Sequence, residues 1–181
     1  MSLNIYSFIS IKNLTLRGAI LYENIVDKLD YNYFYKEFTM EDTFFSWFLI
    51  TELHVWMLML RVMQEGENGL NLRNYIVEAM WNDVNIRAKK LGATNSTLIK
   101  SNIKLLYEQF NASIIGYDET VGSNDKFLAS HIWRRFFKCN MDNPEKLEKL
   151  VYYIRKQVDT LSHTTITEIL SPPSNINWIY K

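Results

Sequence analysis

Cysteine, proline and glycine are all scarce in this chain: one Cys, three Pro and six Gly among 181 residues. A single cysteine, Cys139, excludes an internal disulfide and is too little for a zinc or iron–sulfur site. It is compatible with a reducing compartment such as cytosol or matrix. Scarce Pro and Gly leave the 3.6-residue apolar periodicities long and uninterrupted, which predicts an all-α chain. Net charge is absent too. Lys plus Arg and Asp plus Glu number 20 each, so no global field draws the chain to nucleic acid or membrane. Any such contact has to come from a local basic patch.

Catalytic signatures are also missing. The three histidines, His54, His131 and His163, lie outside metal-ligand spacing of one another. Neither His-Glu-x-x-His nor Glu-x-x-His occurs, which removes the helix-based zinc and carboxylate di-iron patterns. There is no Gly-rich phosphate loop and no Gly-x-Ser-x-Gly elbow, and Cys139 has no recognisable base partner. The expectation is a protein that is not an enzyme and needs no cofactor or metal.

What the chain has in quantity is apolar and aromatic surface, 48% hydrophobic and 14% aromatic residues. A chain of this length buries roughly 70% of its unfolded surface, so one domain with a sizeable core is expected. The aromatic excess serves core packing or an aromatic recognition surface, and composition does not separate the two. The opening residues carry Lys12 and Arg17 and no acid before Glu23, which faintly suggests a transit peptide as much as an ordinary domain start.

Six helical stretches are predicted: 14–29, 43–64, 70–91, 94–117, 124–138 and 144–162. Gly66 and Gly69 mark the loop after the second. Gly92 sits at a C-cap position, and Thr94 or Asn95 opens the fourth helix. Asn143 followed by Pro144 is a start signal for the sixth. The division expected is an N-terminal segment 1–13, a helical domain 14–162 and a loose tail 163–181 containing Pro172 and Pro173.

The second helix is apolar on nearly every face, with Phe45, Phe48, Leu49, Trp56, Met59 and Met63 on one side and Trp47, Ile50, Met57 and Leu58 on the other. Glu52, His54 and Arg61 make a membrane span costly, at ~2.5–3.5 kcal/mol for each central charge. It is therefore read as a buried central helix. Glu52 is expected to pair with Arg87 or Arg73 on the third helix, because an unpaired buried charge is far more costly than a paired one. Trp47, His54 and Arg61 recur every seven residues and form either a recognition strip or a hydrogen-bonded part of the core. Asp83 and Arg87 have the spacing of a helical ion pair. The sixth helix carries the stripe Leu147, Leu150, Val151, Ile154, Val158 and Leu161, with Lys146, Lys149 and Lys156 away from it and Arg155 at its edge.

The run Asp42-Thr-Phe-Phe-Ser-Trp-Phe-Leu-Ile-Thr-Glu-Leu-His-Val-Trp-Met57 resembles the signature of the ubiquinol–cytochrome c chaperone family. So do Ile76-Val-Glu-Ala-Met-Trp-Asn-Asp-Val84 with Arg87, Ile115-Gly-Tyr-Asp-Glu119, Trp133-Arg-Arg-Phe-Phe137 and Leu150-Val-Tyr-Tyr-Ile-Arg-Lys-Gln157. They stand in the family's order at about its spacing. The resemblance implies an all-helical domain that chaperones newly made cytochrome b into complex III. It also implies a small helical partner protein, the mitochondrial ribosome as an associate, and a position peripheral to the inner membrane on its matrix side, without DNA. Family members carry a longer N-terminal region with a transit peptide, where this chain starts close to the domain.

Interface or fold-integrity roles are expected at Trp47, Glu52, His54, Trp56, Arg61, Trp81, Asp83 and Arg87, and next at Tyr117, Asp118, Trp133 and Arg134. Arg134, Arg135, Lys138, Lys146, Lys149, Arg155 and Lys156 are the candidates for sequence-blind contacts to ribosomal RNA phosphates. A second reading, from another class, is a helical carrier of haem, quinone or lipid that uses the apolar second helix and His54.

Overall fold

The structure, a computed structural model, describes residues 11–91, 96–140, 143–171 and 176–180. These residues form helices α1 (Ile11–Lys28), α2 (Tyr31–Glu37), α3 (Phe44–Val62), α4 (Gly66–Lys90), α5 (Ser96–Val121), α6 (Asp125–Phe137), α7 (Pro144–His163) and α8 (Ile166–Leu170), with a 3₁₀ turn at Met63–Glu65. No strand occurs among them, so the all-α expectation holds.

Starts of helices follow the local chemistry. Thr43 accepts the Ser46 amide at 3.2 Å to open α3, Asn124 accepts the Lys126 and Phe127 amides for α6, and Asn143 accepts the Glu145 amide with Pro144 in the first turn of α7. Helix α3 is the axis of the molecule. Every residue from Ser46 to Met59 is buried, because α1, α2, α4, α5 and α7 all pack around it. A helix suits this position because it satisfies its own backbone groups where no water reaches. The apolar window long enough for a bilayer is 89% buried inside the protein. It is a core helix.

Helices α1 and α4 run in close contact, and Gly18 permits it: a Cβ there would stand 2.5 Å from the Cβ of Tyr75.

Several expectations need correction. Helix α2 was not predicted, because Tyr-Asn-Tyr-Phe-Tyr shows no helical stripe; Asp30 caps it by accepting the Tyr33 amide at 3.1 Å. Helix α4 begins at Gly66 rather than near Leu70, and α5 continues past Tyr117 to Val121. The tail is not loose over its described part. Helix α8 is closed by a capping box between Thr165 and Glu168, and Ile176 and Trp178 are buried at 2% and 7% exposure. Residues 1–10, with the leader reading of the N-terminal segment, lie outside the described residues, as do Gly92, Thr94, Asn95, Pro172 and Pro173.

Candidate interaction site

Glu52 has no exposed surface and pairs with Arg135 of α6, not with Arg87 or Arg73. The guanidinium forks onto the carboxylate, Nε to Oε1 at 2.8 Å and Nη2 to Oε2 at 2.5 Å. Tyr117 adds a hydroxyl to Oε1 at 3.3 Å, and Arg135 Nη1 reaches Gln109 at 3.3 Å. Burial pushes the Glu52 carboxyl up, opposed by the hydrogen bonds and charge of Arg135. Arg87 has other work. It closes onto Asp83 at 2.8 Å and lies 4.5 Å above the Trp47 ring, while the Tyr22 hydroxyl donates to the same Asp83 oxygen. Glu52 faces the α5–α6 hairpin and not α4, which puts Arg135 and Tyr117 within its reach in place of the α4 arginines.

His54 is also sealed. Nδ1 meets the Ile50 carbonyl at 2.6 Å, and a carbonyl only accepts, so Nδ1 carries the proton. Nε2 then accepts the Tyr153 hydroxyl, also at 2.6 Å. Phe34 and Trp178 stand edge-on to the imidazole at 5.3 and 4.9 Å. Burial pushes its pKa down to about 3, so the ring is neutral. With both nitrogens engaged, His54 offers no free ligand position to a haem iron.

Arg61 donates Nε to the Thr164 carbonyl at 2.8 Å and Nη1 to Glu65 at 2.7 Å, tying the end of α3 to the end of α7. Trp47, His54 and Arg61 are 7%, 0% and 6% exposed, so the seven-residue row faces the interior and is no recognition strip. Trp56 stacks on Tyr117 at 4.6 Å and donates its indole N–H to Asp118 at 2.9 Å. Trp81 packs on Phe48, Tyr107 and Phe110. Gly116 lets α6 approach α5 so closely that the His131 imidazole occupies the space of a Cβ, and burial, with Arg134 and Arg135 nearby, pushes that imidazole down to about 4.

Of the predicted residues, Asp118, Trp133 and Arg134 reach the surface. The basic set divides. Arg135 turns inward to Glu52, and its side chain is only 11% exposed. Lys138 lies over the Phe45 ring. Lys149 bridges to Glu37 at 2.5 Å and Lys146 reaches the Thr39 hydroxyl, which holds α7 to α2. Arg155 binds Asp125 at 3.0 Å and the Val121 and Ser123 carbonyls, closing the α5–α6 turn. Lys156 is exposed. No group of three His, Cys, Asp or Glu among the described residues can hold a metal ion.

Two features escaped the sequence reading. An apolar groove of about 470 Å³ lies between the start of α3, the end of α4 and α5, lined by Phe44, Phe45, Leu91, Leu98, Leu105 and Leu106. It joins residues from separate helices, so no single periodicity signals it. The second is the segment 176–180 laid across α2, α3 and α7. Its signal was present as alternation, Ile176, Trp178 and Tyr180, at the period of an extended chain.

An all-helical domain wrapped around one buried helix, with its internal charges mutually engaged, is the class this architecture defines. The crystal structure of the Cbp3 homolog from Brucella abortus shares the fold: TM-score 0.74, covering 93% of this chain and 90% of that one at 20% identity. Residues 36–175 match the ubiquinol-cytochrome C chaperone family, and the chain belongs to that family. It is 46% identical over 170 residues to Ubiquinol-cytochrome c reductase complex assembly factor 1 of Drosophila melanogaster, covering 92% of this chain and 65% of that protein. The Homo sapiens protein of that name is 42% identical over 165 residues, covering 91% and 54%. Protein CBP3, mitochondrial, of Saccharomyces cerevisiae is 32% identical over 140 residues, covering 75% and 42%. The chain thus spans 65% of the fly protein's length and 54% of the human protein's.

Proposed function

We propose that this chain is a non-catalytic assembly chaperone for mitochondrial complex III, acting by binding. The observation that carries the reading is 46% identity, across 92% of the chain, to a protein named for assembly of ubiquinol–cytochrome c reductase. Its client is newly synthesised cytochrome b. It works with a small helical partner near the mitochondrial ribosome exit, on the matrix side of the inner membrane. The division of the candidate residues supports roles of two kinds. Glu52, His54, Trp56, Arg61 and Tyr117 hold the helices together, whereas Asp118, Trp133, Arg134 and the apolar groove of α3, α4 and α5 are presented for contact. A client that is itself a membrane protein suits exposed apolar surface rimmed by polar residues.

The test is a pull-down of the chain from solubilised mitochondria, read by mass spectrometry and by an absorbance spectrum of the eluate. Recovery of cytochrome b, a small helical protein and ribosomal proteins, with no Soret band from the purified chain alone, is the expected result. A purified chain that carries a chromophore and recovers no polypeptide would overturn the reading in favour of an apolar carrier.

A further inference from the structure

The segment 176–180 is held in the way a protein holds an extended peptide. Ile176, Trp178 and Tyr180 point one way, into the molecule, and Asn177 stays exposed between the first two. Trp178 inserts against His54, with ring centroids 4.9 Å apart at 81°. Tyr180 lies among Tyr33 at 5.2 Å, Phe34 at 5.1 Å and Tyr153 at 6.3 Å. Its hydroxyl accepts the Asp30 amide at 2.9 Å and donates to the Lys28 carbonyl at 3.2 Å, at the α1–α2 junction.

The main chain of this segment is read by one residue. Gln157 of α7 is fully buried, and its side-chain amide donates to the Asn177 carbonyl at 3.0 Å and accepts the Ile179 amide at 2.9 Å. That is the pairing a neighbouring strand would supply, and it recognises backbone without selecting side chains. Emptying the groove would strand both ends of a buried amide, so the groove favours exchange of one occupant for another over vacancy. The buried Trp178 indole N–H meets no acceptor among the described residues. Ile179 and Tyr180 also border a pocket of about 300 Å³, lined further by Phe38, Tyr152, Lys149 and Lys156.

We propose that the groove between α2, α3 and α7 is a binding site for extended polypeptide with apolar or aromatic side chains at alternate positions. Segment 176–180 is its resident occupant, and an incoming segment of the same chemistry displaces it. This deepens the chaperone reading by naming how an unfolded client stretch is held, and the peptide measurement below can fail while the assembly role stands.

The probe is a fluorescein-labelled peptide with the sequence of residues 174–181, set against a scrambled peptide in which the alternation is lost. It is titrated by anisotropy into the full chain and into the full-length variant Trp178→Ala/Tyr180→Ala, whose own segment is loosened. The variant should bind the peptide saturably, about tenfold more tightly than the intact chain, since the site is no longer occupied in cis. It should bind the scrambled peptide no better than the intact chain does. A helical variant that ignores the peptide, or intact and variant chains that bind alike, overturns the proposal. Should the variant fail to fold, hydrogen exchange at the Ile179 amide of the intact chain decides. Opening well before the α3 amides supports an exchangeable segment, and exchange only with global unfolding refutes it.

Discussion

At the scale of single residues, the Glu52–Arg135 pair carries the clearest consequence. Removing one partner leaves the other charge buried and unmatched, so Arg135→Met should cost about 3–5 kcal/mol. Replacing both, as Glu52→Leu/Arg135→Met, should recover most of that loss. Arg87→Ala removes a half-exposed pair and should cost about 1 kcal/mol or less. Urea unfolding of the variants checks the order, and a larger loss at Arg87 than at Arg135 would refute the pairing. His54 gives a pH dependence. Its folded pKa is pushed down to about 3 from an ordinary 6.5, so between those values the unfolded chain holds a proton that the folded one lacks. Stability therefore falls on acidification through that window, by about 1.4 kcal/mol per pH unit for one such group. His131, pushed down to about 4, works in the same direction. His54→Leu should flatten the slope of urea midpoint against pH without abolishing it.

At the scale of helices, close approach is the governing contact. A Cβ at Gly116 would fall 2.2 Å from the His131 ring, and one at Gly18 would fall 2.5 Å from Tyr75. Gly116→Ala should push α6 off α5 and cost about 1–3 kcal/mol, the usual size of overpacking. Because the obstructing group is a side chain, His131→Ala should relieve much of that cost in the double variant. A thermal-unfolding double-mutant cycle measures this, and additive effects would mean that the two helices do not meet there as described. At Gly18 the nearest atoms belong to the α4 backbone and Cβ, so no single truncation should rescue Gly18→Ala.

For the whole molecule, the distinction is between groups that hold the fold and groups left for partners. Arg134→Ala changes an exposed position and should alter stability by about 0.5 kcal/mol or less, while Trp133→Ala, at a ring only 37% exposed, should cost about 1–2 kcal/mol. Under the proposed function they should reduce recovery of cytochrome b or the helical partner in the pull-down. Unchanged recovery would remove this face from the candidate interface. Around the axis helix α3, ion pairs and hydrogen bonds lock α6 through Arg135 and α7 through Tyr153 and Thr164.

The all-α class, the buried central helix and the start signal at Asn143 and Pro144 were legible in sequence, because periodicity and capping are local properties encoded within a few residues. So was the need of Glu52 for a cation. Which cation it finds was not legible: Arg73, Arg87 and Arg135 are equivalent as chemistry, and only the packing of α6 against α3 brings Arg135 within 2.5 Å. The same holds for Trp47, His54 and Arg61, whose regular spacing fits an outer strip or an inner row, and whose burial was decided by α2, α4 and α7 closing over them. Helix α2 and the segment 176–180 escaped because short elements take their stability from long-range contacts rather than from their own pattern. Tertiary structure alone made a groove from separated helices and laid residues 176–180 in another, since both depend on distances between parts of the chain that sequence order leaves far apart.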